Sequence, residues 1–167
     1  ARLDAGGGAR WRERRDALAS RAAARLWDAG RGLFHDGDRC AAAGLFLYPW
    51  LPAVDPELGA LERAISDPTL FGTPYPLPLL AGAERDARVE PATACRAADA
   101  VARAVTARGV DRLRPLAGLL VRRVVHTFFT DGDLRRPGGF EHYDAHRGHG
   151  SAYRGWDDLQ RAASADL

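Results

Sequence analysis

Between Pro91 and Phe128, apolar residues recur at every third or fourth position, and Gly109 divides the run. Leu113, Leu116, Leu120, Val124 and Phe128 fall on a single helical face. The Ala/Val-rich stretch before Gly109 also reads as a helix. Such spacing does not suit a half-buried strand, whose side chains alternate with period 2. This part of the chain therefore commits to two helices joined by a tight turn. Gly109 stops the first, and Asp111 is placed to cap the second.

Two further stretches follow the same logic. Residues 10–28 set Trp11, Ala17, Leu18, Ala22 and Leu26 near one face and arginines on much of the other, before Gly30 and Gly32 stop the helix. Asp55-Pro56-Glu57 is a helix opening: a cap, a proline in the first turn, and an acid favoured by the dipole. Leu58, Leu61 and Ile65 continue it, and Ser66-Asp67-Pro68 ends it. The connections are long and rich in proline and aromatics. Gly44 to Pro52 (GLFLYPWLP) suits a buried loop or helix start near a pocket rim. Residues 71–78 (FGTPYPLP) cannot be a helix interior or a central strand, because proline has no N–H to donate. They form an extended loop with Phe71 and Tyr75 to present. Residues 32–38 read as a short extended piece closed by an Asp-Gly turn, and residues 158–167 begin a last helix. No alternation is long enough for a sheet, and no heptad or exact repeat is present. The expected fold is all-α: stacked helical hairpins joined by long Pro/aromatic-rich loops, in one domain over residues 1–167.

The chain has 167 residues, enough for one domain with a real core, and 46% are hydrophobic, which argues against disorder. Its 24 basic and 22 acidic residues leave a net charge of +2. Every basic residue in that count is Arg, and Lys, Asn and Met are absent, the mark of a GC-rich genome. Acids interleave with the arginines, so no nucleic-acid partner is expected. No apolar run reaches the roughly 18 residues of a membrane span, and no signal-peptide core is present. The expected compartment is the cytoplasm. With no Met, and an opening that starts mid-pattern, the chain reads as a piece of a longer polypeptide. Cys40 and Cys95 are read as two buried free thiols rather than a disulfide.

Polar chemistry and rings concentrate near the C-terminus, in FEHYDAHRGHGSAYRGWDDLQ. There Glu141 stands beside Phe140, with Tyr143 two residues on, in what reads as a loop between two helices. A carboxylate among rings loses water, which tends to raise its pKa and suits a general acid or base. Rings beside a carboxylate also suit sugars. His142, His146 and His149 would share a helical face and could bind zinc, but Gly148 and Gly150 argue against a helix, so they read as loop histidines. Asp36-Gly37-Asp38 lacks the later ligands of a calcium loop. Gly6-Gly7-Gly8 lacks the Lys-Ser/Thr of a phosphate loop, and Ser151 and Ser164 lack a nucleophile-elbow context. No metal and no cofactor is expected.

These stretches resemble, in order, the six-hairpin glycosidases, the superfamily of trehalases, family 63 processing α-glucosidases and mannosylglycerate hydrolases. FEHYDAHRGHG is similar to the family's Phe-Glu-x-Tyr-Asn/Asp segment, and SAYRGWDDLQRAASADL to its sequel into the last barrel helix. LWDAGRGLFHDGD resembles the Leu-Trp-Asp hairpin. DPELGALERAISDPTLFGTPYPLPLLA is similar to the next helix and the Pro-rich loop over the active site. ARVEPATACRAADAVARA resembles a helix entry in which relatives carry Arg-Val-Trp-Pro. The resemblance implies an incomplete (α/α)6 toroid and an inverting hydrolase acting on an oligosaccharide or glycoside. It makes Glu141 the base that activates water, with Tyr75, Arg88, Tyr143 and Trp156 lining the pocket. Three departures stand out: the family's acid lies upstream of these residues, Glu90 stands where relatives have Trp, and Arg161-Ala162-Ala163 replaces His-Ser-Trp. The implied partner is the remaining N-terminal part of the barrel. The alternative is a non-catalytic helical carbohydrate-binding or degenerate glycosidase-like module.

Overall fold

The computed structural model describes residues 5–35, 37, 39–82, 87–127 and 138–155. At its centre stand the two helices expected between Pro91 and Phe128. Helix α3 (Pro91–Arg108) opens with its proline in the first turn, and α4 (Arg114–Thr127) is entered through a 3₁₀ turn, Asp111–Leu113. Gly109 closes α3 at φ 64°, a left-handed conformation that costs a residue with a Cβ about 1–2 kcal/mol. The Gly109 N–H donates to the Thr106 carbonyl and the Val110 N–H to the Val105 carbonyl, each at 3.2 Å, which ties off the last turn. The buried residues of α3 are Ala94, Ala97, Ala98, Ala100, Val101, Ala104 and Val105. Such small side chains let α4 and the 3₁₀ turn Ala42–Leu47 pack directly against the helix. Leu113, Leu120 and Val124 are buried on the expected face of the second helix, and Leu116 packs at its margin. Phe128 lies outside the described residues.

Helix α1 (Ala5–Leu26) starts earlier than the spacing indicates and uses only part of its apolar face. Ala19, Ala22 and Leu26 touch the core, while Trp11 and Leu18 remain exposed, with the Arg14 guanidinium 5.5 Å from the Trp11 ring centroid. The chain then turns through a two-residue antiparallel pair, β1 (Trp27–Asp28) with β2 (Leu33–Phe34). Trp27, Phe34 and Tyr48 meet edge to face with centroids 5.0 to 6.2 Å apart. Burial, reinforced by the nearby Asp55, holds the Tyr48 phenol well above its usual pKa; its hydroxyl donates to the Gly32 carbonyl.

Helix α2 (Gly59–Ser66) begins four residues after the expected cap. Leu58 takes a left-handed conformation (φ 53°), and the buried Asp55 carboxylate reaches forward to accept the Ala60 and Leu61 N–H groups at 3.3 and 3.0 Å. Asp55 therefore still serves the helix start, across an extra turn. From the end of α3, Arg108 donates to the Asp55 carbonyl at 2.6 Å and to the Tyr48 carbonyl, clamping both loops.

The all-α expectation is corrected on one point. The described residues are mainly helical, but β3 (Arg88–Val89), β4 (Gly138–Asp144) and β5 (Gly150–Gly155) form an antiparallel sheet with β4 in the middle. The Glu141 segment is thus a strand, not a loop between helices. Its ladder groups are taken up on both sides by stretches that carry no strand period of their own. In the Pro-rich loop Phe71 is buried rather than presented, and Tyr75 is half-buried. The thiol expectation is corrected too. Both cysteines are free, but only Cys40 is buried; Cys95 is exposed on α3, between the inward-facing Ala94 and Ala97–Ala98. Among the described residues no helix is long and apolar enough to cross a membrane.

Candidate functional site

The β4–β5 hairpin closes on Asp144. One of its carboxylate oxygens accepts the His146 and Arg147 N–H groups at 2.9 and 2.7 Å, and its carbonyl accepts the Gly148 N–H at 2.8 Å. Gly148 supplies the left-handed residue this turn requires, at φ 72°. Desolvation pushes the Asp144 carboxyl upward, but the two backbone donors and the positive charges of His146 and Arg147 outweigh it, so its pKa lies below the usual value.

Beyond the turn, Phe140 pairs with Tyr153, His142 with Ser151 and Tyr143 with Gly150. On the other edge Val89 pairs with Tyr143 and Arg88 with Asp144. Val89 and Tyr143 are buried, so this face of the sheet meets the core. Glu141, two residues from Tyr143, is half-buried. Glu90, at the cap position of α3, accepts a hydrogen bond from the Thr93 hydroxyl.

The expected site residues come together unevenly. The Tyr75 N–H donates to the Ala145 carbonyl at 3.0 Å, and its ring lies against Gly148, where a Cβ would overlap it. Arg88 is exposed and lines an open cleft of about 350 Å³ with Leu79, Leu80 and Thr93. It stands level with Asp144, three residues and about 10 Å along the strand from Glu141. Tyr143 is 1% exposed, its ring edge-on to Phe140 at 5.7 Å and its hydroxyl accepting the Phe140 N–H. It holds the strand to the core. Trp156 lies outside the described residues.

Two features escaped the sequence reading. Glu90 and Thr93 form a bonded pair beside Arg88, a relation visible only as a three-residue spacing at a helix start. The Nδ1 of His142 is buried without a hydrogen-bond partner. His146, four residues on, lines a second open cleft, of about 210 Å³, with Thr69 and Thr73. No group of three or more His, Cys, Asp or Glu among the described residues could hold a metal ion. No family model, curated protein or solved structure matches this chain.

Proposed function

We propose that the chain is the C-terminal portion of an (α/α)6 glycoside hydrolase barrel, with Glu141 as the general base of an inverting reaction. One observation carries this reading. The Tyr75 loop, Arg88 and the Phe140–Asp144 run are widely separated in sequence, yet they meet around β4. These are the stretches whose likeness to the six-hairpin glycosidases concerns the active site. The α3–α4 hairpin is the kind of unit that such a toroid stacks.

In this scheme Glu141 takes a proton from a water molecule as that water attacks the anomeric carbon. The acid that protonates the leaving oxygen belongs to the remaining part of the barrel, roughly 6.5–9.5 Å away across the substrate. Alone, the 167 residues carry only the base, and they are expected to show little or no turnover.

The test is a comparison of the chain alone with the chain joined to its upstream polypeptide, using aryl glycosides and disaccharides and reading the product anomer by NMR. The expected result is hydrolysis with inversion only in the joined form, falling by about 10²–10⁴ in Glu141→Gln. Robust hydrolysis by the isolated chain, or full activity in the variant, overturns the proposal.

A second reading, a carbohydrate-binding module without catalysis, draws support from Glu90. Its carboxylate is engaged by Thr93 where the resembling enzymes present an indole. It predicts sugar binding with no turnover even in the joined form.

A further inference from the structure

Away from β4, a groove of about 510 Å³ runs between α1 and the loop of residues 49–54. Tyr75, Arg88, Glu141 and Tyr143 are not among the residues lining it. On the loop side stands Trp50, 74% exposed, the most exposed of the large hydrophobic side chains among the described residues. Its backbone is pinned: the N–H groups of Trp50 and Leu51 both donate to the Leu47 carbonyl at 3.0 Å, prolines stand at positions 49 and 52, and Leu51 turns into the core. The indole thus stands in water on a loop whose backbone is already held, so little loop-ordering cost remains for a ligand that covers it.

On the helix side, Ala19 and Ala23 lie one turn apart and keep the floor low. Beside them are Ser20 and the Arg15–Asp16 pair, whose Nε and a terminal nitrogen both reach the same carboxylate oxygen, at 2.8 and 2.7 Å. The groove therefore sets an aromatic side chain opposite guanidinium donors, a carboxylate acceptor and a hydroxyl, with no net charge. A pyranose matches that set: one ring face carries only C–H groups, and its hydroxyls both donate and accept. A protein surface closing over Trp50 would have to strip water from the ion pair, which is costly. Sugar hydroxyls replace that water instead. The volume lies within the usual range for small-ligand sites.

We propose that this groove is a second carbohydrate site, taking a neutral hexopyranose unit stacked on Trp50 with its hydroxyls on Arg15, Asp16 and Ser20. The site does not depend on Glu141 being catalytic.

The whole chain is titrated with glucose, maltose and trehalose, followed by calorimetry and saturation-transfer NMR. Saturable binding in the millimolar range is expected. Trp50→Ala weakens it by about tenfold or more, Asp16→Ala by about tenfold, and Trp50→Phe by less, while Glu141→Gln leaves it unchanged. Circular dichroism checks each variant; should Trp50→Ala fail to fold, Asp16→Ala and Trp50→Phe carry the test. The proposal is overturned by the absence of saturable binding to any of the three sugars, by equal binding in wild type and the Trp50 and Asp16 variants, or by loss of binding in Glu141→Gln with Trp50→Ala intact. Self-association of the wild type that Trp50→Ala abolishes, without sugar binding, overturns it in favour of a protein interface.

Discussion

Gly150 faces the Phe140 ring so closely that an added methyl group would overlap it. Phe140 is the residue before Glu141 and packs edge-on against Tyr143. Gly150→Ala must therefore push the ring aside, and a loss of about 1–3 kcal/mol is expected in urea unfolding. The opposing glycine thus governs the seating of the strand that carries the candidate base. Asp144 sets a pH dependence at the same hairpin. Its folded pKa is depressed, so the stabilisation it provides is present above its unfolded value, near 3.9, and is lost as pH falls through the folded value. Asp67 shifts the same way through the hydroxyl and backbone N–H of Thr69, and Asp28 through the N–H groups of Arg31 and Gly30. Unfolding midpoints followed from about pH 6 down to about pH 2 should fall at the acid end, and Asp144→Asn should flatten part of that slope. An unchanged slope in the variant would show that Asp144 contributes nothing to it.

Among the elements, the helices were legible because their signals are local. Pro91 and Gly109 bracket α3 at the positions the chain advertises, and the Leu113–Val124 stripe is the buried face of the second helix of the hairpin. The sheet was not legible, because its middle strand finds partners at residues 88–89, about fifty positions earlier, and at 150–155. Phe-Glu-His-Tyr-Asp has no clean alternation either: Phe140, Glu141 and His142 are all half-buried. The Asp144-x-x-x-Gly148 turn between two ring-bearing segments was the available clue. The Asp55 cap misled for a different reason: its side chain satisfies amides five and six residues ahead, which no spacing rule for a first turn anticipates. Arg108 joins these elements. Arg108→Ala removes two hydrogen bonds to backbone carbonyls from a charged group and is expected to cost about 1.5–3 kcal/mol per bond lost at most, read as a lower thermal midpoint. Arg108→Lys should recover less than half of the loss, since an ammonium cannot span both carbonyls as the planar fork does.

Across the whole molecule, burial is unevenly shared. Helix α1 offers the core Ala19, Ala22 and Leu26, whereas α3 buries seven residues and contacts both α4 and the 42–47 turn. Hydrogen exchange should reflect this: amides in the first half of α1 exchange fastest, and those of α3 are the most protected. Protection of α1 equal to that of α3 would mean that its packing is tighter than its contacts indicate. The spacing of the expected site residues was not legible in the sequence: Arg88 sits three residues along the strand from Glu141, and Tyr143 belongs to the core.

The buried face of α3 contains nothing larger than valine. For a lineage this makes tolerance one-sided. A substitution that shortens an alanine has only a methyl to remove, so no large void can open. One that lengthens it meets α4 on one side and the 42–47 turn on the other, with no slack in either. Ala97→Leu is therefore expected to harm the fold more than Val101→Ala. Changes that accumulate along this helix should be confined to its outer face and to exchanges among the smallest residues.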